Sequence, residues 1–302
     1  METSSGSNPP LPPPLPITID QKFIQRLVKP RLIQNDRGDE REVVRDLLRI
    51  RRLYEQSDPD LMYLSIYNQA PSILQDGPMC GLVAAHIAIE SIGISVASSH
   101  HLLKLAKERG YTHQGEMFST EQLGKLIEEE FPVKATVVRG FGEEKSKRIN
   151  EILNHLSRGW PILIAYDSDF NHTPCLKGGQ KAHWAVLLGI CLTLKPSTSL
   201  LEDIHKFTDQ DPVFHQLRHI RRNSEFLFDP LTGIMNNIKI EVYAKQGKST
   251  FLQCFSIDSL IESNLNLFEC DLSNRGNYVI PKEGVARGLS NQALLIKPNQ
   301  NS

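Results

Sequence analysis

An apolar run from Leu82 to Ile92, broken only by His86, Glu90 and Ser91, is entered through the turn pair Gly77-Pro78. A breaker followed by such a run predicts a helix that is apolar almost all round and therefore central to the core. Ala84, Ala85 and Ala88 leave room for close neighbours. Pro78 restricts the chain just upstream, which places Cys80 in the first turn. There the unpaired amide hydrogens and the positive end of the helix dipole favour an anion. A free thiol titrates near pH 8.5, and a helix N-terminus with an imidazolium partner lowers that to roughly 3.5 to 7.5. Cys80 is thus expected to be a thiolate nucleophile. His86 and Glu90, four residues apart on one helix face, read as a satisfied core histidine and its partner rather than as a metal or proton relay.

A base for such a thiol stands in Lys181-Ala182-His183-Trp184-Ala185-Val186, at the start of an apolar run from Ala182 to Ile190 with the length of a buried strand. Gly178 and Gly179 make a flexible loop just before it, a common setting for an active-site rim. A lone histidine there would more often be packed without chemistry; Cys80 changes that balance. Asp229, where Glu225 to Phe228 reads as a strand ending in a turn, is the candidate third group to orient the imidazole, although Asp-Pro before Thr-Gly is also an ordinary turn. Gln75 is the candidate donor to an oxyanion beside the Cys80 amide, against the plainer reading of a solvated loop glutamine.

At these residues the chain resembles the papain-like cysteine peptidases, and within them the actin maturation protease family. Gln75-Asp76-Gly77-Pro78-Met79-Cys80-Gly81-Leu82-Val83-Ala84 resembles the family's nucleophile segment, and Lys181 to Val186 its base segment. A third match runs from Tyr278-Val279-Ile280-Pro281 through Gly284-Val285 and Gly288-Leu289 to Gln292-Ala293-Leu294-Leu295. Together they extend over roughly residues 60 to 298. Two departures stand out: Gln75 is five residues before the cysteine where many papain-like enzymes have six, and Thr193 to Asn223 is long for a strand connection.

The resemblance implies an α+β fold of papain-like type, a helical lobe with the nucleophile helix packed on an antiparallel sheet lobe. It also implies a cysteine peptidase that removes the N-acetylated Met or Cys of actin through Cys80, His183, Asp229 and Gln75, with Gly81 and Trp184 beside the substrate. No cofactor is implied. Another thiol hydrolase, such as a deubiquitinating or processing peptidase, would use the same residues, and a non-catalytic adaptor joining profilin to actin is the reading from a different class.

Three segments are expected: a Pro-rich tail at 1–20, an amphipathic helical segment at 21–58 and a catalytic domain at 59–298. In the tail, Pro10, Pro12, Pro13, Pro14 and Pro16 favour polyproline II, a ligand for aromatic-lined grooves. An inert tail has the same composition; the resemblance favours profilin as partner. The next segment carries Val43, Leu47, Ile50 and Tyr54 at helical spacing. Arginines at 49, 51 and 52, and again at 218, 221 and 222, are solvated faces or a rim steering an acidic peptide.

Net charge of −1 from 34 basic and 35 acidic residues gives no field pointing to nucleic acid or membrane. Five cysteines without a CxxC pair fit a reducing, cytoplasmic setting with free thiols and no metal; His215 and His219 are four apart but lack a third ligand. No signal peptide or membrane-spanning run is read. Helices are expected at 98–109, 120–130 and 145–157, and strands at 132–139, 160–166, 182–192, 225–228, 238–243 and 278–281.

Overall fold

The computed structural model describes residues 61–194, 213–218, 239–271 and 275–299, with Arg45, Arg49 and Ile50 ahead of them. In chain order the elements are β1 (Met62–Asn68), α1 (Cys80–Ser91), α2 (Ser99–Glu108), α3 (Thr120–Glu130), β2 (Val133–Arg139), α4 (Lys145–Ser157), β3 (Ile162–Asp167) and β4 (Ala182–Leu194). They continue with β5 (Val213–Arg218), β6 (Lys239–Gln246), β7 (Ser249–Ser256), α5 (Ile257–Leu265), α6 (Gly284–Leu289) and β8 (Gln292–Pro298). The fold is α+β, as expected. The Pro-rich tail, most of the 21–58 segment, the 225–228 strand and Asp229 lie outside the described residues; of the second, Ile50 is helical and buried in the core.

One eight-stranded sheet runs in the order β2-β8-β3-β4-β1-β5, with β6 on β4 and β7 on β6. Every pairing is antiparallel except β1 with β5. The organising strand is β4. Residues 186 and 187 pair with both β3 and β6, and residues 189 to 193 with both β1 and β6. One edge of β4 therefore holds β6, and the other is shared by β3 and β1. At the changeover the register shifts between Leu187 and Gly189. A Cβ on Gly189 would collide with the Ile66 carbonyl oxygen, so only glycine permits this approach.

The shift also reassigns faces. Trp184, Val186 and Leu188 join the core cluster built from α1, α2 and α3, whereas Ala185 and Leu187 join the cluster built from α4 and α5. Beyond it the parity inverts: Ile190 and Leu192 lie with α4 and α5, and Cys191 with α1. Side chains alternate along a strand, so one extra residue exchanges its faces. The nucleophile helix α1 packs on the mostly antiparallel sheet as expected, chiefly against β4, and helices cover both faces of that sheet.

The helices begin where local chemistry dictates. Ser98 accepts from His101 N at 3.1 Å to cap α2, and Ser119 from Gln122 N at 3.2 Å to cap α3. Helix α1 lacks a side-chain cap and relies on burial, with Leu82 to Ile89 buried throughout. His86 is the satisfied core histidine expected, bonded to Ser99 Oγ at 2.9 Å and Glu90 Oε1 at 3.2 Å. The expected strand at 278–281 is not formed; Tyr278 follows a single 3₁₀ turn, Arg275–Asn277. Among the described residues no helix is long and apolar enough to cross a membrane.

His155 ties α4 to β8 through Nε2 and the Ile296 carbonyl, 2.8 Å apart. Burial lowers its pKa from the ordinary 6.5 to about 4. Between those values the unfolded chain binds a proton that the folded chain refuses, so stability falls as pH drops from 6.5 towards 4 and is insensitive to this group above that range. The loss is on the order of 3 kcal/mol. Urea midpoints measured at pH 7 and pH 4.5 should therefore fall, and His155→Gln should flatten part of the fall.

Candidate active site

Cys80 opens α1, and His183 is the second residue of β4. Both line one cleft of about 330 Å³, with Gln75, Glu116, Lys248 and Tyr278 in its walls. The thiol sits against the backbone amides of Trp184 and Gly81, so the helix start and the base strand converge on sulfur. Gly81 makes that convergence possible. A Cβ there would lie 3.1 Å from both Met117 Cβ and Trp184 Cδ1. Trp184 is 2% exposed, and its indole N–H donates to Met117 O at 2.9 Å. These two residues, expected beside the substrate, lock α1 to β4; Trp184 also contributes to the cleft wall.

His183 Nε2 lies 2.7 Å from Gln246 Oε1, a contact buried at the end of β6. The same oxygen accepts from Lys248 N at 2.7 Å. A backbone N–H can only donate, so the Gln246 amide must present oxygen here, and the imidazole must donate from Nε2. The neutral ring therefore keeps Nδ1 unprotonated, as a base requires. Gln246 thus holds the imidazole from Nε2; Asp229, the sequence candidate for an orienting group, lies outside the described residues. The signal for Gln246 was the turn Gln246-Gly247-Lys248 between two alternating runs, where the strand expectation stopped short at Tyr243.

That turn reaches further. Gly247 O accepts from Gln75 N at 2.7 Å, and a Cβ on Gly247 would lie 2.8 Å from Gln75 Oε1 and 3.2 Å from Val83 Cγ1. The Gln75 side chain donates from Nε2 to Gly77 O at 2.5 Å, which turns its amide nitrogen towards the loop before Cys80 and leaves a second hydrogen on that nitrogen. The five-residue spacing to Cys80 is thus accommodated by a tight loop pinned to the hairpin turn.

Electrostatics correct the expected thiolate. Burial raises the Cys80 pKa above its ordinary value, outweighing the amides of Trp184 and Gly81; Glu116 raises it further and Lys248 opposes. Burial also lowers His183 to about 4, against the hydrogen bond it donates to Gln246. Desolvation penalises both charged forms, so the resting pair is neutral thiol and neutral imidazole, and charge separation belongs to the reaction. Two aromatic rings flank His183: Tyr166 edge-on at 6.0 Å and His172 stacked at 5.4 Å with 30° between planes. Neither had been singled out from the sequence.

The arrangement brings a cysteine, a histidine and the Gln75 amide to one cleft, a constellation suited to acyl transfer. A family profile described as "Actin maturation protease-like, C-terminal domain" matches residues 70–191, which contain both Cys80 and His183. Among curated proteins, Actin maturation protease of Mus musculus is 35% identical over 270 residues, 87% of this chain and 71% of that protein. The Homo sapiens protein is 36% identical over 266 residues, covering 87% and 73%, and that of Danio rerio 38% over 244 residues, covering 80% and 76%. The chain belongs to the actin maturation protease family. No solved structure matches it.

Gln246→Leu should leave two donors facing an apolar group and lower turnover by about 100-fold with little change in KM. Gly247→Ala, which crowds Gln75, should lower kcat by about tenfold. Steady-state kinetics on folded variants checks both.

Proposed function

We propose that this chain is a cysteine peptidase that removes the N-acetylated terminal Met or Cys of actin during its maturation. The observation that carries the reading is the convergence of Cys80, His183 and Gln75 on one cleft in a chain that is 36–38% identical, over the aligned residues, to proteins named Actin maturation protease.

In the mechanism, His183 Nδ1 takes the thiol proton as Cys80 sulfur attacks the carbonyl of the first residue. The oxyanion that forms is met by the Cys80 amide and by Gln75 Nε2. His183, held by Gln246, returns the proton to the departing amine as the C–N bond breaks. Water, deprotonated by the same nitrogen, then attacks the thioester, and Cys80 leaves as thiol, completing hydrolysis. A helix-borne thiol against a strand-borne imidazole is the arrangement that a papain-like fold implies, and it supports that assignment.

An acetylated terminus lacks the α-ammonium that a charge-reading aminopeptidase grips, yet carries an extra amide that a peptidase cleft can hold like a preceding residue. Lys248 and Lys181 in the cleft walls suit an acidic stretch beyond the cut. Profilin, bound through Pro10 to Pro16, would bring actin to the cleft, in a cytoplasmic enzyme.

The test is the intact mass of acetyl-Met actin after incubation with the protein or with Cys80→Ala, each with and without profilin. Loss of acetyl-Met only with Cys80 present is expected, faster with profilin. An unchanged mass from folded protein would remove actin processing and leave another thiol hydrolase, or the adaptor, to be separated by the Cys80 alkylation rate.

A further inference from the structure

The loop between β3 and β4 is built around a residue with no assigned role. His172 adopts φ 59°, a left-handed conformation that costs a non-glycine residue energy. The structure holds it there from several directions. Tyr166 Oη donates to His172 O at 2.8 Å, and His172 N donates to Asp169 O at 3.2 Å. Asp169 meanwhile clamps the turn by accepting from Asn171 N, Thr173 N and Thr173 Oγ1 at 2.7 to 2.9 Å. The result of this construction is the stack of one imidazole on the other, with His172 Nδ1 buried and without a hydrogen-bond partner.

We propose that His172 is a positioning residue that caps the face of His183 and, by gaining a proton, suppresses the charge separation on which catalysis depends. This rests on the reading of His183 as the base. While His172 is neutral, its ring excludes water from that face and fixes the imidazole plane beside the in-plane bond to Gln246. When His172 is charged, the imidazolium that forms as Cys80 loses its proton must develop a few ångströms from a like charge. At this separation the penalty lowers the population of the reactive ion pair by about 10- to 100-fold.

Of the other charges around the pair, the Glu116 carboxyl is raised by burial, and its protonation would ease rather than oppose loss of the Cys80 proton. Lys248 faces both imidazoles and Cys80, and Lys181 and Asp169 face His172 from its own loop. Glu116 faces Cys80 across the cleft, and the Tyr166 phenol is raised by burial and stays neutral. Burial and the two lysines hold His172 below 6.5, so at neutral pH the cap is uncharged.

The experiment is the rate of Cys80 alkylation by iodoacetamide in the full chain between pH 4 and 8, for wild type, His172→Asn, His172→Arg and His183→Ala. Asn keeps the left-handed backbone. Wild type should lose rate in two steps, the first below pH 6.5 and the second near the His183 transition. His172→Asn should lack the first step, and His172→Arg should react about tenfold or more slowly at pH 7 with an unchanged circular dichroism spectrum. A His172→Asn profile superimposed on wild type, or a His172→Arg rate equal to wild type, overturns the proposal. A wild-type rate unaffected by His183→Ala overturns it together with the assignment of the base, a different failure from the first two.

Discussion

The bond from His183 Nε2 to Gln246 Oε1 is the interaction on which the site depends. It chooses the tautomer, because the second hydrogen bond to Gln246, from Lys248 N, leaves the amide only one orientation. It also couples His183 to Gln75, since the next residue, Gly247, holds Gln75 by its backbone. A tight turn of three residues thereby sets the His183 tautomer, the placement of the Gln75 amide and the lysine whose charge is felt by sulfur. A backbone turn between paired strands has little freedom, so the precision comes from the sheet rather than from the side chains.

The same burial that makes the site rigid makes it quiet. Cys80 and His183 are each pushed towards neutrality by burial, which sets a neutral thiol beside a neutral imidazole. Lys248 and Glu116 act on the thiol with opposite sign, so the cleft is polar across the nucleophile rather than uniformly basic.

Much of this was legible in the sequence because the relevant signals are local. The turn at Gly77-Pro78 and the apolar run after it located α1, and Thr120–Glu130 and Lys145–Ser157 begin and end where their periodicity does. Cys80 and His183 announce themselves by chemistry and setting. Gln246 does not: a glutamine in a hairpin turn is ordinary until long-range pairing of β4 with β6 sets it against an imidazole 63 residues away. Strands β1 and β8 were missed for the same reason, since a seven-residue apolar segment becomes a strand only when a partner edge is available. The parity inversion at Gly189 was hidden because a bulge leaves no mark in composition. The thiolate expectation failed because a helix N-terminus is visible in sequence and desolvation is not.

The order of the catalytic parts along the chain has a consequence for biogenesis. Gln75 and Cys80 come first, the base about a hundred residues later, and the turn that orients it after a further sixty or so. A ribosome therefore exposes Cys80 long before the strand whose Gln246 holds the His183 imidazole has been made. The cleft is therefore complete only after the β6–β7 hairpin has closed on β4, however early Cys80 leaves the ribosome.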